Sequence, residues 1–322
     1  MITEQKKDTL VYRQELTPVN FLERSGDVHA ERLAVVDGDV RYSWRELRAR
    51  SRRLASALRR AGLRKDDRVA FLAFNSEPLL LGHFGIPQAG GIIVAINTRL
   101  SPDEVAYIVD HSGSQTIFVD PELEPLLASV PASVRRIRTG PELEAFLATG
   151  SEEPVESWLE DEYETIAIDY TSGTTGRPKG VMYHHRGAYL NGLAMVIDLR
   201  CDYDSRYLWT LPMFHCNGWT FTWGLAAVGA ASVCVPKVDP AQIWPLFDSG
   251  EATCFCGAPT VLTMLVNAPE AHPLAKPVRL FVAAAPPSPT IIQQVGELGF
   301  ELEHVYGLTE TYGPFTINVD PP

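Results

Sequence analysis

Residues 170–180 read Tyr-Thr-Ser-Gly-Thr-Thr-Gly-Arg-Pro-Lys-Gly and follow directly on the apolar run Thr165-Ile166-Ala167-Ile168. A loop leaving a buried strand can aim several backbone N–H groups at one anion. Gly173 and Gly176 allow the positive φ angles and close approach that such a nest needs. Thr171, Ser172, Thr174 and Thr175 add hydroxyl donors, and Lys179 adds a full positive charge. A loop built almost wholly of donors is suited to a polyphosphate. It is not a Walker A loop, because Arg177-Pro178 separate Gly176 from Lys179, and Gly180 stands where the metal-binding hydroxyl belongs.

A second chemistry-bearing string is Tyr306-Gly307-Leu308-Thr309-Glu310-Thr311. A tyrosine beside a glycine can lay its ring on a purine, a threonine hydroxyl can contact phosphate, and a carboxylate can coordinate Mg²⁺. Leu211-Pro212-Met213-Phe214-His215-Cys216-Asn217-Gly218-Trp219 is a third. In isolation its histidine reads more readily as a packed, hydrogen-bonded core residue than as a catalyst. Ala283-Ala284-Ala285-Pro286-Pro287 is the fourth. Small residues at a strand end admit a flat ligand to the backbone, or simply make a tight turn. Lys237 and the Asn97-Thr98-Arg99-Leu100 segment are weaker candidates, and the His184-His185 pair lacks a carboxylate nearby in sequence.

Strand-like and helix-like segments must position these strings, and they alternate almost throughout, as in a parallel sheet with crossover helices. The patterning predicts strands at 68–74, 91–96 and 115–119, with a helix over 78–89. A capping box at Ser101-Pro102-Asp103-Glu104 predicts a helix running to about Val109. Residues 121–164 carry little sustained periodicity and read as surface structure between subdomains. Further strands are expected near 166–170, 207–211, 231–235, 252–256, 278–283 and 301–305. Helices are expected near 186–198, 216–228, 240–249, 260–267 and 288–298. The fold class is therefore α/β, with two abutting subdomains, 1–160 and 161–322. Ligands in such sheets collect at the carboxyl ends of strands, so loops 170–180, 212–219, 283–287 and 306–311 are expected to form one site.

The chain has 322 residues and a formal charge of −12, which argues against tracking along a nucleic-acid backbone. Five cysteines lack a C-x-x-C pair and read as reduced core thiols. Alternation in Cys254-Phe-Cys256 would point both sulfurs to one sheet face. The start lacks the apolar core of a signal peptide, and the longest apolar stretch, 221–235, is too short to span a bilayer. The expected location is cytoplasmic.

Together the four strings, in this order, resemble the adenylate-forming superfamily of acyl-CoA synthetases, luciferases and peptide-synthetase adenylation domains. The likeness runs from about residue 16 to residue 318 and is nearest the short- and medium-chain acyl-CoA synthetase branch. The resemblance implies ATP-dependent activation of a carboxylic acid to an acyl-adenylate, then transfer to CoA or a carrier thiol, with ATP, Mg²⁺ and CoA as cofactors or co-substrates. It implies catalytic roles for Thr175, Lys179, His215 and Glu310, the last as metal ligand. Residues 171–176 and Lys179 would hold phosphates, with Thr309 as α-phosphate contact. Ala284, Ala285, Pro286, Tyr306 and Gly307 would hold the adenine. His215, Asn217, Trp219, Phe221 and Val305 would form the acyl site. Family members continue beyond this point with a β-barrel subdomain and a mobile C-terminal domain, bearing a ribose-binding Asp and an adenylation Lys that no position here matches. The expected fold is thus the two αβα-type subdomains of the large N-terminal domain, better at binding than at catalysis. A free-standing ATP or acyl-ligand binding module, an amine or carrier-protein acceptor and a homodimer all remain open at this level.

Overall fold

The computed structural model describes residues 14–171 and 177–318. Among these, the strands are β1 (Leu33–Asp37), β2 (Val40–Ser43), β3 (Arg68–Leu72), β4 (Ile92–Ala95), β5 (Thr116–Val119), β6 (Arg135–Arg138), β7 (Thr165–Thr171), β8 (Lys179–His184), β9 (Arg206–Trp209), β10 (Ala231–Cys234), β11 (Cys254–Gly257), β12 (Val278–Val282), β13 (Phe300–Leu308) and β14 (Gly313–Asn318). They form an eight-stranded sheet in the order β14-β13-β12-β11-β9-β10-β1-β2 and a six-stranded sheet in the order β6-β5-β3-β4-β7-β8. Pairing is parallel except for the hairpins β1–β2, β7–β8 and β13–β14 at the sheet edges. Every residue of β4, β10 and β11 is buried, as expected of strands covered on both faces.

Sheet membership does not follow a boundary at residue 160. β1 and β2 pair into the sheet built mostly from the second half, with Val36 opposite Val233. β7 and β8 close the sheet of the first half, with Ile93 opposite Ala167. One buried cluster runs from Phe71 on β3 to Tyr207 and Trp209 on β9 and fills the space between the sheets. Separate clusters cover the outer faces, one around Trp244 and Phe255, the other around Ile108 and Ile117. In β11, Cys254 and Cys256 face the inner cluster while Phe255 faces the outer one, so the period-two reading of this segment holds.

The Ser101 capping box forms as read: Glu104 Oε2 accepts from Ser101 N at 2.8 Å, and the helix Pro102–Ser112 ends at Gly113 with φ +69°. Other segments differ from expectation. Residues 121–164 are not wholly a linker, since β6 extends the six-stranded sheet and the helix Pro141–Leu147 packs behind it. β6 reads Arg-Arg-Ile-Arg with only Ile137 buried, a charged edge strand without an apolar run. β13 continues to Leu308, so Tyr306 and Gly307 lie within a strand and not in a loop after it. The helical turn Cys216–Trp219 is left-handed and does not open a right-handed helix. The helix Phe221–Val228 is preceded by five residues with positive φ, from Cys216 at +50° to Thr220 at +63°. Among the described residues no helix is long and apolar enough to cross a membrane.

Candidate active site

Among the described residues, 216–220 form a run of five consecutive positive φ angles, a left-handed turn. Each non-glycine residue there costs about 1–2 kcal/mol relative to right-handed backbone, so surrounding contacts must hold it. Gly218 is required sterically as well, because a Cβ at this position would lie 2.3 Å from the Trp209 ring. Asn217 N donates to Asp169 Oδ1 at 3.2 Å, and Thr222 Oγ1 donates to Asn217 O at 2.9 Å. Just upstream, Asn75 reaches over from the other sheet. Its amide donates to Trp209 O at 2.8 Å and Leu211 O at 3.0 Å, and its oxygen accepts from Met213 N at 2.8 Å. The segment carrying His215 is therefore fixed at both ends by side chains from the six-stranded sheet, Asn75 just after β3 and Asp169 on β7.

His215 opens into a cavity of about 640 Å³ that gathers the ends of β7, β9, β11, β12 and β13, a volume in the range of small-molecule sites. Its lining includes Thr171, His215, Trp219, Ala284, Thr309 and Glu310, together with Gly307. Solvent reaches the His215 ring through the cavity, yet protein encloses it, and this desolvation lowers its pKa. The ring is neutral at pH 7 and carries one N–H donor. Beside it, burial pushes the Cys216 thiol up to about 12, so the sulfur stays protonated 3.5 Å from Thr309 Oγ1.

Other expected residues lie outside this lining. Lys179 opens β8 directly across from Thr171 in the antiparallel pair, which puts the two side chains on one face of the sheet. The string 170–180 is therefore a hairpin connection; Ser172, Gly173, Thr174, Thr175 and Gly176 lie outside the described residues. Ala285 and Pro286 are exposed beyond Ala284, itself at φ +79°. Tyr306 is 54% exposed, with its ring centroid 5.7 Å from that of Phe315.

Three residues expected in the acyl site are core residues instead. Phe221 is fully buried and stacks on Tyr207 with centroids 4.7 Å apart. Val305 is buried in the inner cluster and is not among the residues that line the cavity. Asn217 turns its amide to Asp169 Oδ2, 2.6 Å from Nδ2, and to His83 Nε2, 3.1 Å from Oδ1. Both partners are buried. Burial raises Asp169 to about 8 and lowers His83 to about 4.

Asn75, Thr210, Gly257 and Ala258 were not singled out in the sequence, although Thr210, Gly257 and Ala258 line the cavity. Gly257-Ala258 at the end of β11 follows the same small-residue pattern as Ala283-Ala284 and was legible by that rule. The loop 309–312 is in turn tied to β8 and the helix after it: Tyr183 Oη donates to Thr309 O at 2.6 Å, and His184 N donates to Tyr312 Oη at 3.0 Å. Arrayed around one cavity are thus Thr171 at the end of β7, a neutral histidine, a strand end of small residues and the Glu310 carboxylate.

The chain is similar to known proteins. The AMP-binding enzyme family matches residues 22–322. The 4-hydroxybutyrate–CoA ligase 2 of Metallosphaera sedula is 42% identical over 325 residues, covering 94% of this chain and 59% of that protein. The peroxisomal acetate/butyrate–CoA ligase AAE7 of Arabidopsis thaliana is 38% identical, with 94% and 58% covered. The chain thus spans somewhat under two thirds of the length of these relatives. The N-terminal domain of FACL13 from Mycobacterium tuberculosis superposes with a TM-score of 0.87 at 27% identity, covering 94% of this chain and 78% of that one. With the family match running over nearly its whole length, the chain belongs to the AMP-binding enzymes.

Proposed function

We propose that this chain carries the ATP- and acid-binding part of an acyl-CoA synthetase, which converts a short carboxylic acid to its acyl-adenylate for transfer to CoA. The observation that carries this reading is the single cavity shared by Thr171, His215, Ala284, Thr309 and Glu310. The neutral His215 ring donates to the carboxylate and leaves its other oxygen free to attack the α-phosphorus, releasing pyrophosphate. Lys179 and the hairpin donors hold the phosphates, Thr309 contacts the α-phosphate, and Tyr306 offers its exposed ring to the adenine.

Glu310 fits as the protein ligand of Mg²⁺, an ion that usually takes one or two carboxylates and completes its shell with phosphates and water. Among the described residues no group of three or more His, Cys, Asp and Glu gathers into an all-protein cage. Bound there, Mg²⁺ supplies charge neutralisation to the departing pyrophosphate.

A short acid is favoured by Trp219, which is nearly buried and packs on Gly313, where an added Cβ would meet its ring at 2.9 Å. The indole closes one wall of the cavity. The relatives named as ligases of 4-hydroxybutyrate and of acetate or butyrate agree in size class. The unpaired thiols, Cys201, Cys216, Cys234, Cys254 and Cys256, support a reducing compartment such as the cytoplasm.

Calorimetric titration of this chain with Mg²⁺-ATP tests the reading, repeated with Lys179→Ala and Glu310→Ala. Each variant is expected to lose affinity by about tenfold or more, since a charge-assisted contact contributes about 1.5–3 kcal/mol. Unaltered affinity in both variants would remove the nucleotide from this site.

A further inference from the structure

His83, Asn217 and Asp169 form a line of buried side chains from the helix Glu77–Gln88, the left-handed turn and β7. His83 Nδ1 lies 2.8 Å from Leu79 O. A carbonyl oxygen only accepts, so Nδ1 carries a proton. In a neutral imidazole Nε2 then has only a lone pair, yet it faces Asn217 Oδ1 at 3.1 Å, acceptor against acceptor. Two arrangements remove the conflict. In one, the ring holds a second proton and Asp169 is a carboxylate. In the other, the Asn217 amide is turned over: Nδ2 donates to His83, and Oδ1 receives a proton carried by Asp169.

Both arrangements hold the same number of protons, so distance and burial must choose. The contact at Asp169 Oδ2 is 2.6 Å. That is short for N–H···O, about 2.7–3.2 Å, and ordinary for O–H···O, about 2.5–3.0 Å. The charged arrangement also places two ions on either side of an amide, with His83 0% and Asp169 2% exposed. Separated charges in such surroundings are costly, whereas a fully hydrogen-bonded neutral line is not. The directions in which burial moves His83 and Asp169 agree with the neutral line.

We propose that Asp169 acts protonated, as a positioning residue whose O–H holds Asn217 and, through it, His83, clamping the turn that carries His215 and Trp219 to the strand leading into the phosphate hairpin. The other ionisable groups that sense Asp169 are Tyr183 on β8, Cys216 in the turn and Tyr312 before β14. Burial raises all three, so each is still neutral when Asp169 ionises. Glu310 is the further charge felt by Cys216. Loss of the Asp169 proton sets a carboxylate against Asn217 Oδ1, or turns the amide back and leaves His83 Nε2 without a donor. Either way the clamp loosens at alkaline pH. Its bearing on ligand binding rests on the ATP and acid site proposed above.

Spectra of the whole chain labelled with ¹⁵N-histidine test the proton's place without any ligand. At pH 7 His83 should be neutral with its proton on Nδ1, and an imidazolium pattern would overturn the proposal. Mg²⁺-ATP titrations at pH 7 and pH 9 test the clamp. Wild-type affinity should fall by about tenfold, the size of a lost hydrogen-bond network. Asp169→Asn, which keeps a donor that does not titrate, should hold its affinity within about twofold, and Asp169→Ala should bind weakly at both values. Parallel pH profiles for wild type and Asp169→Asn would overturn the positioning role. Failure of the wild type to bind Mg²⁺-ATP at pH 7 would instead strike the ATP site, leaving the histidine spectra to decide the proton.

Discussion

Tyr183 donates its phenolic proton to the carbonyl of Thr309 across 2.6 Å, joining β8 to the loop that carries Glu310. These two residues, 126 apart in sequence, make β8 and the loop after β13 one mechanical unit. Tyr312 reinforces it by accepting from His184 N and lying 4.0 Å, centroid to centroid, from the Tyr183 ring.

Gly307 is the tightest point of that unit. A Cβ there would fall 1.8 Å from Gly313 O, inside the register shift between β13 and β14. Gly307→Ala is expected to part the hairpin and destabilise the chain by about 1–3 kcal/mol, the usual cost of overpacking. It should also weaken Mg²⁺-ATP binding more than Lys179→Ala does. Thermal unfolding and calorimetry on the same variant check both effects.

Asn75 satisfies three backbone groups at the end of β9. Asn75→Ala leaves all three without their partner, and each such group costs about 1–3 kcal/mol where water cannot replace it. Partial solvation in this half-buried segment brings the expected loss to about 2–4 kcal/mol. Urea unfolding measures it, and a change under about 0.5 kcal/mol would show that the loop does not depend on this residue.

Arg50 lies buried between Glu77, 2.9 Å from its Nε, and Glu144, 2.7 Å from Nη2, with its guanidinium over the Tyr42 ring. Arg50→Ala strands the buried Glu77 carboxylate and should cost about 3–5 kcal/mol. Arg50→Ala combined with Glu77→Gln should recover part of that loss, because the stranded charge is gone. Denaturant titration of the single and double variants gives the comparison.

The pH dependence of stability follows from three buried groups. Burial lowers His83 and His185 from 6.5 to about 4 each. The unfolded chain takes up those protons and the folded chain does not, so their contribution is whole above pH 6.5 and is lost as pH falls towards 4. Asp169, raised from 3.8 to about 8, acts in the opposite sense. Its contribution is whole below pH 3.8 and is lost as pH rises to about 8. Together these groups place the maximum near pH 6.5, with a slope of about 1.4 kcal/mol per pH unit on each side. Urea midpoints across that range check the curve, and Asp169→Asn should flatten its alkaline limb.

Much of this architecture was legible because it is local. Apolar runs marked the buried strands of both sheets, the Ser101 box marked a helix start, and strand-end loops rich in small and polar residues marked the cavity. What escaped depends on partners distant in sequence. β1 is a short apolar segment that becomes a strand only through β10, and β8 was hidden because its residues read as the tail of a loop. The aromatic and small residues from 216 to 228 fit a helical period, and only Asn217-Gly218 hints at left-handed backbone. Phe221 and Trp219 are two residues apart and chemically alike in one dimension, yet the turn sends one to the core and the other to the cavity. Asp169 reads as a polar residue ending a strand, and its burial follows from Asn217, which arrives from elsewhere.

The exchange of strands between the two sheets bears on how the chain is made. Trp44, just after β2, donates its indole N–H to Gly229 O, 185 residues further along. At about 5–20 residues per second of synthesis, the first hairpin waits on the order of ten seconds or more for its partner strand. Through that interval β1 lacks the strand that pairs with it along its parallel edge. The first hairpin cannot join its sheet alone, so in a ribosome-bound nascent chain β1 and β2 should stay protease-sensitive until β10 emerges.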